Sequence, residues 1–284
     1  MTTIVRRRTP GPALRTVASY ALFIVLALLL TVPVIWLLVT SLKLPTEYLS
    51  YPLRFLPSVP QWQNYAAALT RISFWHYARN TLLLAIVFST LTVLTSAMAG
   101  FAFARIVAPG RSFFFTIIVA LLIVPGIVTL IPQFVVFSKL KLTDTYWPWV
   151  LWGLSASPFH IFLFRQFFST FPKDLEDAAE VDGCGAFRVF YQIFLPNALP
   201  VIATSFILNF VYVWGDWLTP SLFLTDVNTT LAVKMNTGYV DPQGHALIPT
   251  TLAACVIYTL PLVVLFFAGQ RYLVRGVVTS GLKG

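Results

Sequence analysis

Long stretches without charge are the feature that most constrains this chain. Six segments of about 20 residues or more contain no Asp, Glu, Lys or Arg, and a helix that crosses the hydrocarbon of a bilayer needs roughly 20 such residues. Only 10% of all residues are charged and 58% are hydrophobic, with a mean hydropathy of +0.81. Such a chain has too few polar groups to cover a water-facing surface. We therefore expect membrane lipid around it, and we disfavour a soluble enzyme, a disordered protein or a nucleic-acid partner.

The segments predict an all-α, polytopic membrane protein with six transmembrane helices in a single domain, residues 1–284. The predicted spans are residues 17–40, 80–104, 113–137, 145–165, 196–224 and 246–270. The first is too long for a secretory signal, and no small-residue cleavage site follows it. An even number of spans places both termini on one side. Twelve of the 19 Lys and Arg residues fall on that side, which predicts cytoplasmic termini.

One predicted cytoplasmic segment, the acidic loop (residues 170–196), reverses this charge pattern. Five of the ten acidic residues of the chain lie between Asp174 and Asp182. Pro172 suits a first helical turn, and Gly183 suits a left-handed C-terminal cap. The pattern predicts a short cytoplasmic helix that presents the small side chains Ala178 and Ala179 between charges. Its shape suits insertion into a cleft on a soluble partner. A helix resting on the membrane is the alternative, although anionic inner-leaflet lipids would repel it.

The acidic loop resembles the EAA loop of the membrane subunits of ATP-binding-cassette (ABC) importers. The resemblance lies in the order Asp177-Ala178-Ala179, Gly183, Ile193 and Leu195-Pro196. Asp177 stands where the family has glutamate, and Glu176 is its neighbour, so either carboxylate could make the family's contact. Residues 143–147, 165–172 and 270–284 further resemble carbohydrate importers of the maltose type, specifically the shorter of their two permeases.

This resemblance implies the permease subunit of an ATP-driven importer, forming half of the transmembrane pathway for a sugar. The expected location is a prokaryotic inner membrane. The expected partners are two ABC ATPase subunits, a second homologous permease and an extracytoplasmic solute-binding protein. The sequence has no GxxxxGK[ST] phosphate loop, so this chain is expected to be non-catalytic and to need no cofactor, with ATP and Mg held by the ATPases.

The resemblance also assigns residues to the contact with the ATPases. The coupling residues are Glu176, Asp177, Ala178, Ala179, Asp182, Gly183, Ile193, Leu195 and Pro196. In the family a short C-terminal tail reaches between the ATPase subunits, and here that tail would contain Ser280, Gly281, Lys283 and Gly284.

Two places in the spans suggest a translocation path. Asp216 is an ionisable residue within a span, which makes it a functional candidate. It stands among polar and aromatic residues suited to sugars, namely Asn209, Tyr212, Trp214 and Trp217. The alternative is an aromatic belt at the outer interface. Pro125 and Gly126 interrupt the third span and predict either a gating bend or a structural kink.

Other classes of function fit less well. Glycerol 3-phosphate or another polyol is the main rival substrate class, although a phosphate would want converging Arg or Lys within the spans. An ion-coupled transporter would need buried charges at mid-membrane, and Asp216 is the one candidate in the sequence. The three His and two Cys residues show no metal-ligand spacing, and no cluster of residues predicts catalysis.

Overall fold

The protein is built of helices. The computed structural model describes residues 12–48, 50–52 and 54–281, and within these ranges the one extended pairing is an isolated antiparallel bridge between Val240 and Ala246. The predicted all-α, polytopic class is confirmed.

Fifteen α-helices and one π-helical turn, Phe190–Phe194, follow one another along the described chain. The α-helices are α1 (Pro12–Ser41), α2 (Pro45–Tyr48), α3 (Gln63–Thr70), α4 (Phe74–Arg105), α5 (Arg111–Leu121), α6 (Gly126–Lys139), α7 (Trp147–Leu154), α8 (Pro158–Phe168), α9 (Asp174–Val181), α10 (Ala186–Val189), α11 (Leu195–Asn197), α12 (Leu199–Gly215), α13 (Leu218–Phe223), α14 (Leu231–Thr237) and α15 (Ile248–Gly281).

Length and composition make three of the described helices able to cross a membrane alone, within α1, α4 and α15. The number rises to five when each of two bent helix pairs is counted as one span. α5 and α6 meet at 98°, and the segment Ala186–Asn197 meets α12 at 79°. The predicted span 145–165 is divided into α7 and α8 at Ser155–Ser157, where Ala156 has a φ of 60°. The count of six spans stays a prediction.

The described chain divides into two compact units, one of residues up to 68 with 239–257, the other of residues 69–238 with 258 onward. In the first unit the side chains described between Val17 and Ile35 of α1 are exposed, as expected of a helix solvated by lipid. The loop after α1 is ordered by Glu47, whose carboxylate accepts hydrogen bonds from the backbone N–H groups of Leu44 and Ser58 at 3.2 and 3.0 Å.

The core of the second unit forms around α4, which packs against α7, α8 and α12. Close approach is possible because small residues stand at the crossings. A Cβ added at Gly100 would lie 2.5 Å from the Cβ of Phe164 on α8, and one added at Gly153 of α7 would lie 2.8 Å from the Cβ of Leu91. The helices of this unit are therefore fixed in place by steric fit.

At one end of this unit, a polar contact joins the loop before α7 to the loop after α13. The carboxylate of Asp144 accepts hydrogen bonds from the hydroxyl and backbone N–H of Thr225 at 2.6 and 2.9 Å, and from the Asn228 amide at 3.2 Å. The Thr225 hydroxyl, the largest influence, holds the pKa of Asp144 below its ordinary value. This segment is one of those that carry the family resemblance, and the contact accounts for its aspartate.

We expect Gly100→Ala to destabilise the protein by about 1–3 kcal/mol, because the new methyl group overlaps the rigid Cβ of Phe164. A lower melting temperature of the detergent-solubilised protein would show the effect. Gly126→Ala is the matched control, since no atom of the described residues lies within 4 Å of a Cβ added there. Equal melting temperatures for the two variants would contradict the packing argument.

Candidate functional site

The predicted acidic helix is present as α9. Asp174, Glu176 and Asp177 occupy its first turn, where the helix dipole favours negative charge. It begins two residues after Pro172, which therefore precedes the first turn instead of lying in it. With eight residues, it is too short to be stable in isolation. Its stability must come from contacts with the rest of the chain.

The acidic helix ends in the predicted left-handed cap. Gly183 has a φ of 75°, a conformation that costs a residue with a Cβ about 1–2 kcal/mol. The N–H of Gly183 donates to the Glu180 carbonyl at 2.9 Å, and the N–H of Cys184 donates to the Ala179 carbonyl at 2.9 Å. These two bonds form a Schellman motif, which satisfies carbonyls that the helix end would otherwise leave unpaired.

The acidic loop is anchored on the phenylalanine cluster, which we define as Phe101, Phe164, Phe168, Phe190 and Phe194. All five side chains are buried. Most of their rings meet edge to face, with centroids 5.0 Å apart for Phe101 and Phe194 and 5.6 Å apart for Phe168 and Phe194. Such pairs add about 0.5–1.5 kcal/mol each beyond area burial. The π-helical turn supplies both Phe190 and Phe194.

The coupling residues divide into an inner and an outer set. Ala179 is 4% exposed within the same core, and Ile193 and Leu195 are half-buried against it. Asp177, Ala178, Asp182, Gly183 and Pro196 are exposed. The two adjacent alanines therefore differ: Ala179 holds the helix to its own chain, and Ala178 faces outward.

Glu176 contacts a residue that sequence reasoning missed. Its Oε1 lies 3.0 Å from Nη1 of Arg105, the last residue of α4. The two carboxylates that the sequence left as alternatives are thus separated, since Glu176 has a partner within the chain and Asp177 is exposed. The sequence does show that Arg105 follows directly after a charge-free segment. However, a basic residue at that position is equally expected from the distribution of Lys and Arg that sets membrane topology.

The C-terminal tail is described in part. Ser280 and Gly281 close α15, and nothing is described of their side-chain contacts. Lys283 and Gly284 lie outside the described residues.

The second unit also contains a cavity of about 810 Å³, within the range typical of ligand sites. It lies among α4, α6, α7, α8, α12 and α13. Its lining combines aromatic rings with polar groups, among them Phe88, Thr92, Gln133, Trp149, Trp152, Phe159, His160, Asn209, Tyr212 and Asp216. Such a surface can hold a solute by ring stacking and hydrogen bonding together.

Part of this lining is a buried polar network. Nδ1 of His160 lies 2.8 Å from the Ser205 hydroxyl, and the Asn209 amide donates to the Ser205 carbonyl at 3.0 Å. The Thr92 hydroxyl is fully buried and has no hydrogen-bond partner among the described residues. A buried polar group without a partner is costly, and because Thr92 is fully buried, its hydroxyl can meet a solute only when the surrounding helices move.

Only some of the residues predicted for the translocation path lie together at the cavity. Gly126, Asn209, Tyr212 and Asp216 line the cavity. Asp216 follows α12 as its C-cap residue, and its Oδ1 accepts a hydrogen bond from the backbone N–H of Thr219 at 3.0 Å. Its carboxylate therefore also binds a backbone N–H in the first turn of α13.

The two tryptophans beside Asp216 lie outside the lining. Trp214 is buried, stacks on Phe210 and Tyr258, and donates its indole N–H to the Tyr258 carbonyl at 3.1 Å. Trp217 is exposed. Trp214 thus serves internal packing in this structure, neither as a lining residue nor at an exposed belt.

The break in the third predicted span is pronounced. α5 ends at Leu121, Pro125 precedes α6 as its N-cap residue, and the two helices meet at 98°. Pro125 itself is exposed outside the cavity lining. For the part of the chain that is described, no three His, Cys, Asp or Glu residues are grouped as metal ligands would be.

Comparison with known proteins identifies the family. Residues 93–279 match the family model described as binding-protein-dependent transport system inner membrane component. The arabinooligosaccharides transport system permease protein AraQ of Halalkalibacterium halodurans is 32% identical over 92% of this chain and 94% of its own length. The diacetylchitobiose uptake system permease protein NgcG of Streptomyces coelicolor is 30% identical over 93% and 87%, respectively.

Two further matches are informative. The sn-glycerol-3-phosphate transport system permease protein UgpE of Salmonella choleraesuis is 34% identical over 77% of this chain and 78% of its own length. A solved bacterial ABC transporter involved in the import of the acidic polysaccharide alginate shares the fold, with a TM-score of 0.79 at 20% identity, over 94% of this chain and 99% of that one. The chain therefore belongs to the family of binding-protein-dependent transport system inner membrane components, the permease subunits of ABC importers.

Proposed function

We propose that this permease forms half of the pathway by which an ATP-driven importer moves a neutral carbohydrate across a prokaryotic inner membrane. The observation that carries the substrate class is the lining of the cavity. Its described residues include several aromatic rings and neutral polar groups and one carboxylate, Asp216, but no Lys or Arg. Relatives named for arabino-oligosaccharides and diacetylchitobiose support the same class.

Glycerol 3-phosphate is the second candidate, because a relative is named for it. A phosphate dianion is held best by Arg or Lys, and a cavity that presents Asp216 would repel it. The same reasoning disfavours acidic saccharides unless a companion permease supplies the positive charge.

The proposed energy source is ATP hydrolysed by two ABC subunits on the cytoplasmic side, where both termini would lie. The exposed edge of the acidic helix, with Asp177, Ala178 and Asp182, would insert into a cleft on the ATPase. A second permease would complete the pathway, and an extracytoplasmic binding protein would deliver the solute. ATP drives the switch between states insofar as it binds one state more tightly.

The tail residues Ser280, Gly281, Lys283 and Gly284 are proposed to contact the ATPases on the strength of the family resemblance alone.

Reconstitution tests this function. The two permeases and the ATPases are placed in vesicles containing ATP, and the solute-loaded binding protein is added outside. We expect ATP-dependent uptake of neutral oligosaccharides, with no uptake when the ATPases or ATP are omitted. Uptake by the permeases alone would refute the coupling. Preferred uptake of glycerol 3-phosphate would refute the substrate class.

Ala178→Trp should block the docking of the ATPase while leaving insertion into the membrane intact, because Ala178 is exposed and its replacement disturbs no internal contact. Co-purification of the ATPase with the tagged permease measures docking. Ser112→Trp places the same ring at an exposed site near the start of α5, outside the acidic loop, and should leave co-purification unchanged. Normal co-purification and uptake by Ala178→Trp would remove the acidic helix from this role.

We propose that the Thr92 hydroxyl, which is buried in this state, meets the solute when the helices around the cavity move. Thr92→Val should then lower the maximal uptake rate at saturating solute-loaded binding protein roughly three- to tenfold, the effect of one lost hydrogen bond. Ser89→Ala is the matched control, because Ser89 is also buried on α4 without a hydrogen-bond partner among the described residues but lies outside the cavity lining. If the two variants transport equally well, the Thr92 hydroxyl does not meet the solute.

A further inference from the structure

We propose that Arg105 is the joint that passes the movement of the acidic helix to the two helices carrying the cavity wall. The inference deepens the proposed function and rests on it. Arg105 is then a positioning residue, since it touches neither solute nor nucleotide.

The first observation is the burial of the ion pair between Arg105 and Glu176. The Arg105 side chain is 8% exposed and that of Glu176 is 23% exposed. The Oε1 atom that faces the guanidinium is itself shielded from solvent and has no hydrogen-bond partner in the described chain beyond this ion pair. Removing the guanidinium would leave a partly buried carboxylate without its counter-charge, so the acidic helix is bound to the end of α4.

The second observation is that the same guanidinium closes α8. Its Nε and Nη2 donate to the Phe168 carbonyl at 3.1 and 2.7 Å, and Nη2 also donates to the Phe171 carbonyl. Phe168 is the last residue of α8, where carbonyls lack helical partners and a cation is favoured. The guanidinium also lies 5.2 Å from the Phe194 ring centroid. Its planar fork of donors suits several acceptors at once, which a lysine ammonium does not reproduce.

The third observation concerns what α4 and α8 carry at the cavity. α4 is one continuous helix from Phe74 to Arg105, and its Thr92 lines the cavity about 20 Å of helix rise from Arg105. α8 contributes Phe159 and His160 to the same lining. The tight crossing at Gly100 holds the two helices together, so they can move as one body.

Together, these contacts connect the acidic helix to the cavity through Arg105. Force on the exposed edge of the acidic helix passes through Glu176 to Arg105, and from Arg105 to both α4 and α8. The two neighbouring carboxylates then have different roles. Glu176 contacts Arg105 within the chain, and the exposed Asp177 is free to contact the ATPase. A purely structural ion pair would affect assembly alone, whereas a joint affects the yield of transport per ATP.

The test measures ATP hydrolysis and solute uptake in the same vesicles, using the complete complex with its binding protein. We expect Arg105→Gln to retain ATP hydrolysis while uptake per ATP falls roughly tenfold or more, as for the loss of charged hydrogen bonds. Arg105→Lys should restore uptake per ATP only in part. Arg111→Gln is the matched control, because that half-buried side chain also donates to a carbonyl near the same end of α4, that of Ile106.

Glu176→Gln decides the matter if Arg105→Gln does not assemble, because it removes only the ion pair and keeps the bonds of Arg105 to α8. We expect reduced uptake per ATP, with Glu180→Gln, an exposed acid on the same helix, at the wild-type value. Unchanged uptake per ATP in Glu176→Gln overturns the inference. Uptake by the wild-type complex without ATP instead overturns the proposed function, and the same vesicles distinguish the two failures.

Discussion

The close crossing of α4 and α8 is the constraint on which the rest of this structure depends. Gly100 leaves no room between the two helices, so Phe164 and Phe168 pack with Phe101 near the end of α4. On these three rings pack Ala179, Phe190 and Phe194 of the acidic loop. An eight-residue acidic helix with little stability of its own is thereby held in one position, as a part that transmits force must be.

The same crossing connects a charged end of the unit with a cavity whose described lining has one carboxylate, Asp216, and no Lys or Arg. Charged residues are few in this chain. A cluster of acidic residues lies on the acidic helix, where water can solvate their carboxylates. At the cavity, the polar groups are mostly hydroxyls, amides and His160, and the buried Thr92 hydroxyl among them has no hydrogen-bond partner in the described chain. Neutral groups of this kind can bind a sugar without the large desolvation cost of buried charge. In the proposed function, charge serves the ATPase contact and neutral polarity serves the solute.

Local sequence signals predicted the local structure well. The helix at Asp174 and the glycine cap at Gly183 follow from short-range rules, and both are present. The role of Arg105 was not predicted, because it binds the backbone carbonyls of Phe168 and Phe171. The type of a side chain does not indicate what the backbone carbonyl of the same residue will bind. Trp214 was grouped with Asp216 by its position in sequence, but a helix turns its side chains in different directions, and this one faces Tyr258. The break at Ala156 was overlooked although the sequence carries a signal for it, because Ser157 precedes Pro158 and the residue before a proline is disfavoured in a helix.

The most direct test of the account measures distances within the complete transporter by pulsed electron resonance, in a background without Cys184 and Cys255. One pair of spin labels joins the exposed sites Val181 on the acidic helix and Met98 on α4, and a second joins Met98 to the exposed Val136 on α6. The account predicts that the first distance is the same with and without ATP, while the second changes. A shift of the acidic helix relative to α4 on ATP binding, with the second distance unchanged, would contradict it.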